Sequence, residues 1–207
     1  MQLLPAPPSQ PEPSTDDYCV LVLDLVGSTA LAQQLPLHIW GELLGQWSLQ
    51  MLDLLRGWGG WILPLQGDAA LACWPAWQAE AAVGAAQQAH SLTQRLPLAQ
   101  TLGQPLSLRA GLAAGKLTLL PHLEPRPCGL PLHLAHRLCS VAEPGETLLC
   151  AGVAGVLEVS PGQDGSILQL RAVPPLNGFE LLQSGGAAFY RVLLPAEQLE
   201  GSEMKAG

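Results

Sequence analysis

Apolar positions in this chain fall into short unbroken runs, alternating with stretches where they recur every three or four residues. Tyr18 to Leu23 is a continuous β-prone run and predicts a central strand covered on both faces. After Pro36, the spacing of Trp40, Leu43, Leu44, Trp47, Met51 and Leu54 predicts a long amphipathic helix, stopped by Gly57, Gly59 and Gly60. Gly60 to Leu65 and Ala69 to Trp74 then read as a hairpin with Gln66-Gly67-Asp68 at its tip. Trp77 to Leu96 is Ala-rich and helical. Ser107 to Leu112 reads as a strand ending in Ala113-Ala114-Gly115, with Leu117 to Leu120 as its hairpin partner. Leu130 to Val141 predicts a helix closed by Ala142-Glu143-Pro144-Gly145. A strand at Thr147 to Cys150, a short helix from about Val153 to Val159, and strands near 167–173 and 187–194 follow. The order gives an α+β layer with helices on one face of a mainly antiparallel sheet. There is no internal repeat.

Residues 1–16 are rich in Pro, Ser, Gln and acid and are expected to be a disordered tail. Residues 17–195 form one domain, and 196–207 a flexible C-terminal tail. A chain of 207 residues suits one such domain with a full core. Hydrophobic residues make up 48%, yet no run approaches the roughly 20 needed to span a bilayer. Met1 to Thr15 lacks the basic start and apolar stretch of a signal peptide, so a cytoplasmic protein is expected. A net charge of −8, with only Lys116 and Lys205 as lysines, argues against nucleic acid or a membrane surface as partner. Cys19, Cys73, Cys128, Cys139 and Cys150 show no metal-like spacing and read as reduced, mostly buried thiols.

Two acidic residues change the picture. Asp24 ends the run Cys19-Val20-Leu21-Val22-Leu23, and Asp68 sits at the hairpin tip. A carboxylate in so apolar a setting is costly to bury unless a cation or hydrogen-bond donors face it. Two carboxylates on adjacent strands would suit a hard divalent ion, which takes oxygen ligands and usually arrives with phosphate. Plainer readings exist for each: Asp24 as a turn or helix-capping residue, Asp68 as ordinary Gly-Asp turn chemistry. Arg137 lies on a helix where a solvated face or an ion pair is equally consistent. His133 and His136, three apart on that helix, have no third ligand nearby. Ser28 lacks the His and Asp arrangement of a nucleophile, and the six tryptophans read as core and interface area.

Taken in order, these pieces resemble the catalytic domain of class III adenylate and guanylate cyclases over roughly residues 18 to 194. Leu23-Asp24-Leu25-Val26-Gly27-Ser28-Thr29 is similar to that family's first metal motif, and Gly59-Gly60 through Gly67-Asp68 to its second. Arg109-Ala110-Gly111-Leu112 with Gly115 resembles the next strand. Gly129-Leu130-Pro131-Leu132-His133-Leu134-Ala135-His136-Arg137-Leu138 resembles the helix reading Gly, two residues, Val-Asn, then Ala-x-Arg. Ala142-Glu143-Pro144-Gly145-Glu146, Leu176-Asn177-Gly178 and Phe189-Tyr190-Arg191-Val192 fit as well.

The resemblance implies a ferredoxin-like βαββαβ core and attack of a nucleoside triphosphate's 3′-hydroxyl on its own α-phosphate. It implies two Mg²⁺ or Mn²⁺ ions on Asp24, Asp68 and the Leu25 carbonyl. It places phosphate oxygens on the backbone of Val26, Gly27, Ser28 and Thr29, and gives Arg137 the charge developing at the α-phosphate. It implies a homodimer with shared active sites, aspartates from one subunit and the arginine from the other. The chain departs from the pattern elsewhere. Pro64 stands where a base-reading lysine belongs, and Arg126 where an acidic or small polar residue reads the purine. His133 replaces the ribose-orienting Asn and can still hydrogen-bond. Asn177 stands where a lysine grips the polyphosphate; Arg126 and Lys116 are the candidates to replace that contact. The expectation is therefore a divergent cyclase with its base pocket lost. The alternatives are an inactive nucleotide-binding or regulatory dimer, or a dimer with an empty site.

Overall fold

The computed structural model describes residues 14–63, 67–120, 126–158, 169–173 and 188–193. Strand β1 (Ser14–Leu25) leads through α1 (Ser28–Gln34) into the long helix α2 (Leu37–Gly57). The hairpin β2 (Trp61–Ile62) and β3 (Ala69–Pro75) follows, then α3 (Ala79–Gln94), α4 (Pro97–Thr101) and β4 (Leu108–Leu120). Beyond these lie β5 (Arg126–Cys128), α5 (Leu130–Val141), β6 (Thr147–Cys150), α6 (Ala151–Val156), β7 (Gln169–Ala172) and β8 (Phe189–Leu193).

Among the described residues these strands form one sheet in the order β2-β3-β1-β4-β6-β8-β7, with β5 on the far part of β4. Only β4 and β6 run parallel; the other pairs are antiparallel. The β2-β3-β1-β4 portion, crossed by α2 and α3, is the ferredoxin-like arrangement. The helix expected after Pro36 forms as read, burying Leu43, Trp47, Met51, Leu54 and Leu55. The α5 and β6 boundaries match the sequence pattern.

The helices cover both faces of the sheet, not one. Side chains alternate along a strand, so register partners share a face. Leu23 pairs with Ala110, and Ala110 with Thr147, whose hydroxyl meets His90 of α3 at 2.8 Å. Cys19 pairs with Trp74, whose indole donates to the Trp58 carbonyl at the end of α2. That face therefore carries α2 and α3, tied by the Trp47 indole on the Thr93 hydroxyl at 3.0 Å. Val22 and Gly111 are partners on the opposite face, where α5 lies so close that a Cβ on Gly111 would strike the Ala135 carbonyl and the Cys139 amide. A continuous apolar strand shows that both faces are covered without saying which helix covers which.

Two further expectations change. Leu108–Leu120 is one unbroken strand through Ala113-Ala114-Gly115, because it pairs throughout with β1; its hairpin partner is Arg126–Cys128. Strand β1 starts at Ser14, inside the segment 1–16 expected to lack structure. Its early residues are held by pairing with Leu119 to Lys116, by the Thr15–Thr118 hydroxyl contact and by Lys116 facing Asp17 at 3.4 Å. Cross-strand polar pairs of this kind leave no apolar pattern to read. The remaining tail calls lie outside the described residues.

Four of the five cysteines are buried and Cys128, on β5, is exposed. Burial raises the Cys73 thiol to about 11 and raises that of Cys19 as well. No helix among the described residues is long and apolar enough to cross a membrane.

Candidate active site

Asp24 is the last residue of β1 to point toward α5 before the chain turns at Gly27, whose φ of 72° suits a residue without Cβ. Its register partner on β4 is Arg109, and its partner on β3 is Ala69. Arg109 Nε and Nη2 both lie 2.8 Å from Asp24 Oδ2, while Nη1 donates to the Ser140 carbonyl at 3.0 Å. Ser140 belongs to the last turn of α5, where a cation is also favoured by the helix dipole. The side chains of Arg109 and Asp24 are 33% and 23% exposed, so the pair is partly shielded from water.

Around this pair lies a cleft of about 170 Å³ lined by Val22, Asp24, Ala69, Arg109, His136, Cys139 and Ser140. His136 is half-buried. Burial lowers its pKa below the usual imidazole value and nearby His133 adds to the effect, with Asp24 pulling the other way. Cys139 donates its thiol to the Arg109 carbonyl at 3.3 Å, and burial, reinforced by Asp24 and opposed by Arg109, pushes it up to about 12. It is a packing residue, not a nucleophile.

Asp68 approaches from the neighbouring strand. Its carbonyl accepts the Leu25 N–H at 3.3 Å, one step beyond the Asp24–Ala69 pair, so the two aspartates are held within one residue of each other across β1 and β3. The Leu25 side chain is buried, which fixes the backbone at this junction. Of the turn 26–29, the Val26 N–H is spent on the Ser107 carbonyl at 3.0 Å, leaving the Gly27, Ser28 and Thr29 amides at the start of α1.

Asp68 is not among the residues lining the Asp24 cleft, and Arg137 and His133, which the shared-site expectation assigns to the other subunit's site, do not line it either. Arg137 and His133 are both exposed on α5; the Arg137 carbonyl accepts the Ser140 hydroxyl at 2.8 Å. Arg126 opens β5 opposite Leu120. Pro64 and Asn177 lie outside the described residues. Sequence reasoning missed the roles of Arg109 and His136. Arg109 was visible only as part of a strand motif, and its partnership with Asp24 depends on a β-register that one strand cannot disclose.

Among the described residues no three His, Cys, Asp or Glu side chains form a cluster able to hold a metal unaided. The carboxylates of Asp24 and Asp68 are hard oxygen donors of the kind a Mg²⁺-type ion takes, with substrate phosphates and water completing its shell. Arg109 already occupies Asp24 and would have to give way to such an ion.

This architecture recurs in solved structures. It matches the adenylyl cyclase CyaB from P. aeruginosa with a TM-score of 0.75 at 21% identity, covering 89% of this chain and 97% of that one. The fold is that of adenylyl and guanylyl cyclase catalytic domains. The guanylate cyclase domain of RhGC from Catenaria anguillulae, in complex with GTP, matches with a TM-score of 0.70 at 18% identity, over 87% of this chain and 98% of that one. A non-canonical dimeric guanylyl cyclase domain of the RhoGC fusion protein from the aquatic fungus Blastocladiella emersonii matches at 0.70 and 19%, over 88% and 97%. No family model and no curated protein matches the sequence. In this cyclase-type fold, the Asp24–Arg109 pair and the Asp68 turn occupy one end of the β3-β1-β4 strands.

Proposed function

We propose that this chain is a divergent nucleotidyl cyclase that converts a nucleoside triphosphate to a 3′,5′-cyclic nucleotide and pyrophosphate in a homodimer with shared sites. The observation that carries the reading is the junction of β1 and β3. The half-buried Asp24 carboxylate ends β1 there, and the Asp68 carbonyl accepts the N–H of the next residue, Leu25, in a sheet of the cyclase-domain fold.

A divalent ion bound with the substrate supplies Lewis acidity to the attacking hydroxyl and charge to the phosphates. Asp24, Asp68 and the Leu25 carbonyl are the groups of this chain that would hold it. The 3′-oxygen forms a bond to the α-phosphorus, the bond from that phosphorus to the bridging oxygen breaks, and the hydroxyl proton leaves to solvent. The Gly27, Ser28 and Thr29 amides receive terminal phosphate oxygens. Arg137 of the partner subunit stabilises the charge on the α-phosphate, and His133 hydrogen-bonds the ribose in place of the family's Asn. With Pro64, Arg126 and Asn177 at the base-reading and polyphosphate positions, base selection is weak. Lys116 and Arg126 are the candidates for the missing phosphate contact.

The test is incubation of purified protein with Mn²⁺ and each of the four common triphosphates, followed by chromatography for cyclic product. Product that disappears in Asp24→Ala supports the reading; no product from any triphosphate sinks it. The Arg109 pairing favours a second reading, an inactive nucleotide-binding module, since Asp24 is already neutralised within its own chain. Triphosphate and Mn²⁺ binding by calorimetry without turnover would favour that alternative.

A further inference from the structure

The far edge of the sheet sets two like charges against each other. Arg171 on β7 and Arg191 on β8 are direct register partners, so their side chains leave the same face of the pair. Like charges directly opposite destabilise an antiparallel pair. Only one is compensated: Arg191 Nε donates to Glu146 Oε1, and the other Glu146 oxygen accepts the Glu143 amide at 2.7 Å. Both oxygens of that carboxylate are therefore in use. Among the described residues, Arg171 is exposed and has no acidic partner. Arg171 and Arg191 line a cleft of about 320 Å³ together with Ala172 and Val173. With nine Lys and Arg against seventeen Asp and Glu, this pairing is not the overflow of a basic surface.

We propose that the cleft binds a phosphate group, as inorganic phosphate or on a small phosphorylated molecule, between Arg171 and the Nη groups of Arg191. Two arginines leaving the same face of adjacent strands suit a tetrahedral anion with several acceptor oxygens, whereas a planar carboxylate is satisfied by a single guanidinium fork. Phosphate also carries roughly 1.5 to 2 negative charges at neutral pH, enough to offset much of the opposition between the two arginines. The site stands on these residues alone and does not depend on the cyclase reading.

The experiment is thermal unfolding of the full chain and of Arg171→Gln, Arg171→Lys and Asp24→Asn, with inorganic phosphate titrated against acetate and chloride at matched ionic strength. Without phosphate at low salt, Arg171→Gln melts at or above the parent, because the repulsion is gone. Phosphate then raises the Tm of the parent, of Arg171→Lys and of Asp24→Asn, but not of Arg171→Gln, so that the order of parent and Arg171→Gln reverses. An equal phosphate shift in Arg171→Gln, an equal shift with acetate, no shift in the parent, or loss of the shift in Asp24→Asn would each overturn the proposal.

Discussion

Arg109 and Asp24 face each other across β4 and β1, with two guanidinium nitrogens on a single carboxylate oxygen at 2.8 Å. The pair is too sheltered to count as a surface ion pair and too open for the full penalty of a buried one. Arg109→Met should therefore lower stability by about 1–2 kcal/mol in urea unfolding. It should also tighten Mn²⁺ binding measured by electron paramagnetic resonance, because a competing cation has been removed. Unchanged Mn²⁺ affinity would show that Asp24 holds no metal.

If the sites are shared between subunits, inactive variants should rescue each other. Mixed Asp24→Ala and Arg137→Ala chains, refolded together, place one intact site in each heterodimer. Activity should return to about a quarter of the parent rate, the share set by random pairing in a twofold assembly. Mixtures as inactive as the separate variants would rule out this arrangement.

Gly111 lets α5 rest on the sheet without an intervening side chain. Gly111→Ala pushes against helix backbone, which cannot yield as a flexible side chain does. A loss of about 3 kcal/mol is expected, at the upper end for overpacking. Because α5 carries His133, His136 and Arg137, any cyclase rate should fall with it. A variant as stable as the parent in urea would contradict the close approach.

His90 is buried between α3 and β6, and desolvation lowers its pKa from 6.5 to about 4. The unfolded chain takes up a proton as pH falls through 6.5, whereas the folded chain resists until about 4. The stability this confers is present in full above pH 6.5 and is lost progressively as the pH drops to about 4. The loss amounts to roughly 3 kcal/mol at 1.36 kcal/mol per pKa unit. His90→Gln can still meet the Thr147 hydroxyl but does not titrate. The stability difference between parent and variant should therefore shrink over this window in chemical denaturation, and a constant difference would refute the assignment.

Much of the layout was legible in the sequence because apolar periodicity reports directly on burial. The long helix after Pro36, α5 and β6 declared themselves this way. The β1 extension from Ser14 and the length of β4 did not, since a ribbon held by Thr15, Asp17, Thr118 and Lys116 pairs polar groups that look like loop. At the candidate site, Asp24 and Asp68 stood out as acids in apolar surroundings. Arg109 did not, because its significance arises only once β4 is laid against β1. Likewise His136 lines the cleft beside Asp24, a placement on the helix that motif spacing alone does not disclose.

The distribution of thiols leaves the molecule with a built-in attachment point. Cys128 alone is open to solvent, so a maleimide spin label or fluorophore would react there without any engineered substitution. Placed two residues from Arg126 on the short strand flanking β4, that reporter would sense whatever ligand or second copy comes to rest against this margin of the molecule.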